Sequence, residues 1–234
     1  MFTPCKRIDT EALDGGRRSY FMKTISVENA AERVYAEFRA MSEIYNTMLV
    51  IAPKPRGYGE CRNKKGTHLF VCDFLNITHD LPDPERLGKT LAGLHHKSQS
   101  PNGQFGFYCT TFDGEKPLNT TWDSSWTRFF TRLINEVYNL ERRVNGHWQP
   151  LEDVMQIASS KLIPRLLDPL TAESRTIKPC LIHGDLWESN LGADEDTNDI
   201  YIYDACSYYA HREKEVAIWR VAHHQMTDEV YRRE

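Results

Sequence analysis

Three polar side chains in the last quarter of the chain have the types and spacing that phosphoryl transfer to a hydroxyl requires. Asp185 and Asn190 lie five positions apart in the segment HGDLWESN (183–190), and Asp204 follows in the segment YDAC. A carboxylate at Asp185 can accept the proton of an attacking hydroxyl. Asn190 and Asp204 offer the hard oxygen ligands that magnesium prefers. The spacing therefore predicts a base at Asp185 and metal ligands at Asn190 and Asp204.

The elements that must position these side chains are two short strands joined by polar sequence. The apolar run 179–182 predicts a strand that enters the loop, and the β-branched and aromatic run 200–203 predicts a strand that returns from it. Residues 192–199 have the composition of a turn. A hairpin of this size would return Asp204 to the side of Asp185. We expect His183 to orient the loop by hydrogen bonding rather than to take part in the chemistry.

A second pair of charged residues lies near the N-terminus. Lys23 follows the run Tyr-Phe-Met at the centre of a predicted strand, and Glu37 flanks the apolar face of a helix predicted over 28–48. A strand lysine paired with a glutamate of the next helix positions nucleotide phosphates in kinases. The alternative is a surface lysine and a solvated glutamate, which the downstream motif makes the weaker interpretation.

The middle of the chain predicts one more strand and then helices. An apolar strand is expected over 68–74, and Asp83-Pro84 is typical of a helix start. Helical periodicity over 121–144 gives an apolar stripe that we expect to be buried. A further helix is predicted over 151–163, ending at Pro164.

The motif, the upstream string YFMK and the downstream string DACSYYAHREKEVA together resemble the fructosamine kinase (ketosamine 3-kinase) family. That family belongs to the wider aminoglycoside-phosphotransferase and protein-kinase-like fold. Trp187 and the run 208–211 narrow the resemblance to the ketosamine branch, and LPDPERLGKTLAGLHHKSQSPNGQFGF and NTTWDSSWTRFF resemble fungal-type members, the protein-ribulosamine 3-kinases. The resemblance implies an α+β, two-lobed fold, with a small nucleotide-binding β-sheet lobe at 1–75 and a mainly helical catalytic lobe at 76–234.

The resemblance also implies an activity: transfer of phosphate from ATP, with Mg²⁺, to the 3-hydroxyl of a sugar attached to an amine, such as a glycated lysine of a protein. Phosphorylation would destabilise the adduct and so reverse glycation. In this assignment Lys23 contacts the nucleotide phosphates and Glu37 positions Lys23. The strand end at Asp73 and Phe74 would receive adenine.

Two further residues are assigned to the substrate side. Trp187 would stack on the sugar or the amine, with a purely structural role as the alternative. His211 is a substrate-side candidate, although bracing of the catalytic loop by His211 and Glu215 from the next helix is the interpretation that we favour.

The sequence departs from the family pattern in three places. Asp14-Gly15-Gly16 predicts a hairpin turn where a glycine-rich phosphate loop is expected, so we expect the first strand to be shortened or lost and nucleotide binding to be weak. Ser189 replaces a glycine that is common in the family. The chain also stops soon after Trp219, where relatives continue with further helices.

Two rival functions stay open. One is a phosphotransferase of aminoglycoside or choline type, for which the acids between 194 and 199 could bind a polycation, although they have the pattern of a solvated turn. The other is a truncated pseudokinase that acts as a binding module.

Composition excludes several other classes of protein. With 40% hydrophobic residues, the 234-residue chain can bury a sizeable core, and its formal charge of −4 gives no electrostatic reason to bind nucleic acid or an anionic membrane. The six cysteines lack C-x-x-C spacing, which favours reduced thiols. The N-terminal segment has no apolar signal core and there is no 18-residue apolar run. We therefore expect a cytoplasmic protein.

Overall fold

A computed structural model describes residues 4–11, 13, 15–78, 80–227 and 229–233. The strands are β1 (Cys5–Glu11), β2 (Arg17–Ile25), β3 (Pro55–Glu60), β4 (His68–Asp73), β5 (Ile77–Thr78), β6 (Thr111–Asp113), β7 (Lys116–Leu118), β8 (Cys180–Ile182), β9 (Leu191–Asp194), β10 (Ile200–Ile202) and β11 (Tyr208–Ala210). The α-helices are α1 (Ala30–Thr47), α2 (Pro84–Lys97), α3 (Trp126–Asn145), α4 (Gln149–Ile157), α5 (Ile163–Leu167) and α6 (Glu229–Arg233). A nine-residue 3₁₀ segment, Arg212–Arg220, follows β11.

The N-terminal part of the chain is a four-stranded antiparallel sheet in the order β1-β2-β4-β3. Helix α1 packs against β3 and β4. Its buried positions include Val34, Met41 and Ile44, which recur at the three- and seven-residue steps of one helical face. The predicted strand around Lys23 and the predicted helix carrying Glu37 are both present, so the sheet and α1 can bring these two residues together.

A strand precedes the lysine strand, contrary to the expectation of a shortened or lost first strand. β1 has seven residues and pairs with β2 from Cys5 opposite Lys23 to Glu11 opposite Arg17. The expected turn at Asp14-Gly15-Gly16 falls within the connection between these strands. Asp14 lies outside the described residues, and Gly15 has a φ of +79°, a conformation that glycine adopts readily.

Residues 179–204, here the catalytic segment, do not form the single hairpin that the sequence predicted. Residues 191–194, part of which was predicted as a turn, form β9, which pairs with β10. The entering strand β8 pairs instead with β11, beyond Asp204. The second sheet also includes β5, so its order is β10-β9-β5.

Backbone hydrogen bonds hold this sheet against the segments that flank β3 and β4. β5, just after β4, pairs with β9. The N–H of Ile202 donates to the carbonyl of Ile51 at 2.8 Å, and that of Glu195 donates to Asn76 at 3.1 Å. The metal-ligand candidates are therefore held beside the end of the first sheet.

Helices α2 and α3 begin with side-chain caps. Asp83 accepts the N–H of Arg86 at 2.9 Å, as Asp-Pro predicted, and Ser125 caps α3. Helix α3 starts at Trp126, five residues later than predicted, and only the first part of its apolar stripe is core. Val137 is 50% exposed and Val144 is 71% exposed, so the expectation of a fully buried stripe was wrong.

Pro164 does not end a helix. The chain passes from α4 through a π-helical turn, Ala158–Leu162, into α5, with Pro164 at the second position of α5. A proline lacks an N–H and its ring clashes with the preceding turn, and the wider π-turn removes both conflicts by shifting the hydrogen-bond pattern. The prediction failed because the chain changes its helical pitch before the proline.

One cluster of buried apolar residues extends from Ile25 and Met41 to Leu91 and Phe129. The division into lobes near residue 75 stays a prediction. Cys61, Cys72, Cys109, Cys180 and Cys206 are free thiols; Cys72, Cys180 and Cys206 are buried, whereas Cys5 is exposed. No helix in the described part of the chain is long and apolar enough to cross a membrane.

Candidate active site

The N-terminal sheet and the catalytic segment meet at Lys23. Its ammonium Nζ lies 3.0 Å from Glu37 Oε2 and also forms an ion pair with the Asp204 carboxylate. β2 supplies the lysine, α1 supplies the glutamate, and Asp204 follows β10. The structure thus brings together three of the residues that the sequence predicted, and both ends of the Lys23–Glu37 pair are largely buried.

The charges of this cluster depend on one another. Burial alone would lower the pKa of Lys23, but the carboxylates of Glu37 and Asp204 outweigh it and raise the pKa above its usual value. Burial raises the pKa of Glu37 to about 7 despite the lysine beside it. Burial would raise the pKa of Asp204, but the charge and hydrogen bond of Lys23 outweigh it and lower the pKa. At neutral pH, Lys23 is therefore a cation and Asp204 an anion.

The catalytic loop folds Asn190 back onto Asp185. A 3₁₀ turn, Glu188–Asn190, closes the loop, and the Asn190 amide donates to Asp185 O at 2.8 Å and to Asp185 Oδ2 at 3.1 Å. The five-residue spacing thus produces a direct contact. Burial raises the pKa of Asp185. A carboxylate fixed at one oxygen and poorly solvated is suited to accept a proton through the other.

His183 orients the loop, as the sequence predicted. The ring is fully buried, with Nε2 2.8 Å from the carbonyl of Tyr203 and Nδ1 accepting the Asp185 N–H at 3.3 Å. A carbonyl can only accept, so Nε2 carries the proton. The ring therefore links Asp185 to Tyr203, the residue before Asp204.

Glu215 braces the same loop from the 3₁₀ segment behind it. Its buried carboxylate accepts the N–H of His183 at 2.6 Å and that of Gly184 at 3.1 Å. Gly184 has a φ of +88°, and a Cβ there would lie 2.8 Å from the carbonyl oxygen of Cys206. Both observations show a loop whose backbone is fixed in one conformation.

His211 lies apart from these residues. Its ring accepts the N–H of Glu213 at 3.2 Å, capping the 3₁₀ segment, and its centroid is 6.0 Å from that of Trp126. It lines a second cavity of about 1110 Å³ between α2 and the 3₁₀ segment rather than the cavity that holds Asp185. The structure does not bring His211 to the other candidates, and its hydrogen bond and ring contact, to Glu213 and Trp126, do not brace the loop.

A cavity of about 840 Å³ contains the remaining predicted residues. Its lining includes Lys23, Glu37, Asp73, Phe74, Asp185, Trp187, Asn190 and Asp204. Trp187 also faces the ring of His224, at 5.5 Å between centroids. The sequence did not predict that Thr111 and Glu115 line this cavity, because the short hairpin that carries them has no recognisable motif.

At the predicted adenine end of the cavity, two backbone N–H groups are already hydrogen-bonded. The N–H of Asp73 already donates to Lys54 and that of Phe74 to Ser19, at 3.0 and 3.1 Å. The carboxylate of Asp73 is held by Arg56 through two hydrogen bonds. Neither of these N–H groups is free to bind a base.

A magnesium ion fits the donors at the other end of the cavity. Asp204 carries its charge at neutral pH and Asn190 adds an amide oxygen, and magnesium binds a few such oxygens and keeps several waters. Among the residues that the structure describes, no group of three or more His, Cys, Asp or Glu side chains could hold a metal. The site would therefore be completed by the phosphates of a nucleotide, as in kinases.

Comparison with known proteins finds similarity to fructosamine and ribulosamine kinases. A sequence profile described as fructosamine kinase matches residues 6–233. The chain is 27% identical over 197 residues to the protein-ribulosamine 3-kinase, chloroplastic, of Oryza sativa subsp. indica, covering 84% of this chain and 54% of that relative. It therefore spans about half the length of the curated relatives that it matches first.

Solved structures show the fold. A putative fructosamine-3-kinase from Haemophilus somnus 129PT has a TM-score of 0.71 at 17% identity, over 99% of this chain and 76% of that one. A thermostable aminoglycoside phosphotransferase APH(4)-Ia, in ternary complex with AMP-PNP and hygromycin B, has a TM-score of 0.55 at 14% identity, over 98% and 73% of the two chains. The expectation of an α+β, kinase-like fold is confirmed.

Proposed function

The chain belongs to the fructosamine kinase family, and from that premise we propose that it transfers the terminal phosphate of ATP to the 3-hydroxyl of ketosamines, such as glycated lysines of proteins. One observation carries the proposal. Lys23, held between Glu37 and Asp204, shares a single cavity with the Asp185–Asn190 pair. A cation for phosphate, a base for a hydroxyl and oxygen ligands for a metal are the parts that phosphoryl transfer needs.

The chain's own residues then have distinct tasks. Lys23 binds phosphate oxygens, and Glu37 keeps Lys23 in place from α1. Asn190 and Asp204 would hold magnesium, whose charge neutralises phosphate oxygens when it is bound. Asp185 accepts the proton of the 3-hydroxyl as that oxygen bonds to the γ-phosphorus and the bond from phosphorus to the β,γ-bridging oxygen breaks, releasing ADP.

The substrate side of the proposal rests on Trp187, which lines the cavity two residues beyond the base. An indole face is an apolar surface on which a sugar ring can stack. The resulting 3-phosphate weakens the bond between sugar and amine, so the reaction would serve protein deglycation. The cytoplasmic location expected from the sequence stays a prediction.

The test is ATP consumption with ribulosyl-lysine, fructosyl-lysine and kanamycin in parallel. The proposal expects turnover with one or both ketosamines, a phosphate on the third sugar carbon by NMR, and none with kanamycin. Turnover with kanamycin alone would favour an aminoglycoside phosphotransferase. Binding of Mg-ATP without turnover on any substrate would favour a binding module.

A further inference from the structure

The β6–β7 hairpin, residues 111–118, forms a wall of the active-site cavity that no motif predicted. Thr111, Phe112, Gly114 and Glu115 line the cavity together with Asp185 and Trp187. The hairpin packs against α1, and its two strands pair from Thr111 opposite Leu118 to Asp113 opposite Lys116. It is thus fixed beside the residues that act on the substrate.

Thr111 is the unusual member of this wall. The residue is fully buried, yet its hydroxyl Oγ1 has no hydrogen-bond partner among the described residues. A buried hydroxyl without a partner destabilises a fold, so such groups call for an explanation. Oγ1 is itself closed off from solvent, so a ligand oxygen in the cavity that Thr111 lines would supply the missing partner once the side chain turns toward it.

The hairpin also adds negative charge close to the base. Asp113 is among the charges that act on Asp185, after burial and His183. Lys116 forms an ion pair with Asp113 at 2.8 Å. Glu115, at the tip, is exposed and has no ion pair within the described part of the chain.

We propose that the hairpin is the substrate-recognition edge of the cavity: Thr111 Oγ1 hydrogen-bonds a hydroxyl of the sugar, and the Glu115 carboxylate attracts the protonated secondary amine that carries it. This inference rests on the proposed function, because a ketosamine joins a polyhydroxyl chain to an amine that is cationic at neutral pH. The Thr111 hydroxyl can both donate and accept a hydrogen bond, and the Glu115 carboxylate has no ion pair among the described residues. The two groups lie on one short hairpin and match the two halves of that ligand. The hairpin would select ketosamines bearing a charged amine over neutral sugars.

The first test is calorimetric titration of fructosyl-lysine into the protein with Mg-AMP-PNP. Thr111→Val should weaken binding about three- to tenfold, the effect of one lost hydrogen bond. Its melting temperature should stay the same or rise, because the unpaired hydroxyl is removed. Thr111→Ser should keep the affinity, and the exposed neighbour Thr110→Val is the matched control.

The second test separates charge from shape. Glu115→Gln should weaken binding of fructosyl-lysine about two- to fivefold, as for an exposed ion pair, and added salt should shrink the difference. Binding of neutral 1-deoxyfructose should not change. Asp196→Asn, which removes one charge from the exposed turn between β9 and β10, is the control.

The outcomes distinguish the hairpin from the activity. Wild-type binding without phosphate transfer contradicts the proposed function and still leaves the variants to decide on the hairpin. Unchanged affinity in Thr111→Val and Glu115→Gln would overturn the hairpin's role while the activity stands. A lower melting temperature in Thr111→Val with unaltered affinity would show a structural threonine, and no wild-type binding would refute the ligand class.

Discussion

Replacing Glu215 by glutamine should destabilise the loop that contains His183 and Gly184. The substitution changes no residue that lines the cavity of Asp185. The carboxylate is 2% exposed and accepts two backbone N–H groups, from His183 and Gly184. A glutamine has one carbonyl oxygen, so one of these N–H groups would face an NH₂ group and lose its partner. The change is nearly isosteric and leaves packing intact.

The magnitude follows from that single lost acceptor. An unsatisfied buried donor costs about 1–3 kcal/mol. For a chain of this size, each kcal/mol lowers the melting temperature by about 2–4 °C, so we expect a decrease of roughly 2–12 °C. Turnover should also fall, because Gly184 directly precedes Asp185.

The pH dependence provides an independent check. Burial would raise the pKa of Glu215, but its interactions with His95 and His183 outweigh burial and lower the pKa from its usual 4.5. A lowered pKa means that the carboxylate stabilises the fold above pH 4.5 and that this stability is lost as the pH falls through the lowered value. The difference between wild type and Glu215→Gln should therefore be constant near neutral pH and shrink in acid.

The assay is urea unfolding of both proteins at pH 7 and in acid, with Glu213→Gln as the control. Glu213 lies two residues away on the same 3₁₀ segment and is exposed, so its replacement should have little effect. Equal stability of Glu215→Gln and wild type at pH 7 would refute the bracing role. A difference that persists unchanged in acid would show that the charge is not its cause.

Three further substitutions test the site itself. Asp185→Asn should abolish turnover and leave ATP binding nearly unchanged, because a base acts only in the chemical step. Stopped-flow kinetics and nucleotide titration measure the two effects. A retained kcat would show that Asp185 is not the catalytic base. Asp204→Asn should weaken Mg-ATP binding as well as turnover, since it removes a charged metal ligand; a magnesium dependence identical to wild type contradicts this assignment. Gly184→Ala should lower the melting temperature and turnover, because at a φ of +88° its Cβ would lie 2.8 Å from the Cys206 carbonyl oxygen. The control is Gly103→Ala in an exposed turn (φ +71°), which should cost only the backbone strain. Equal effects of the two substitutions would show that the close approach to Cys206 is unimportant.

The sequence predicted the elements that carry a strong local signal. The Lys23 strand, the Glu37 helix and the Asp185–Asn190 loop were all recognisable, because a lysine within an apolar strand or a five-residue offset is visible in the chain itself. Their contacts are present in the structure. The catalytic roles of these residues stay proposals.

What the sequence could not predict depends on partners that are distant in the chain. Residues 193 and 194, within the predicted turn, pair with β5, which lies more than a hundred residues earlier in the chain. The exposure of Val144 depends on which neighbours cover α3, and periodicity alone contains no such information. Thr111 was missed because only burial reveals that its hydroxyl lacks a partner.

Helix α1 is anchored at a second point, and this limits how the protein could be regulated. The buried Tyr209 hydroxyl donates to Glu43 Oε1 at 2.7 Å, and burial raises the pKa of Tyr209, so the donor keeps its proton. Swinging α1 outward to separate Glu37 from Lys23 would also break this bond, at a cost of about 1.5–3 kcal/mol for a hydrogen bond to a charged group. That cost alone disfavours an inactive state about ten- to a hundredfold. Displacement of this helix, a means of control that is common among signalling kinases, therefore has an added energetic cost in this fold.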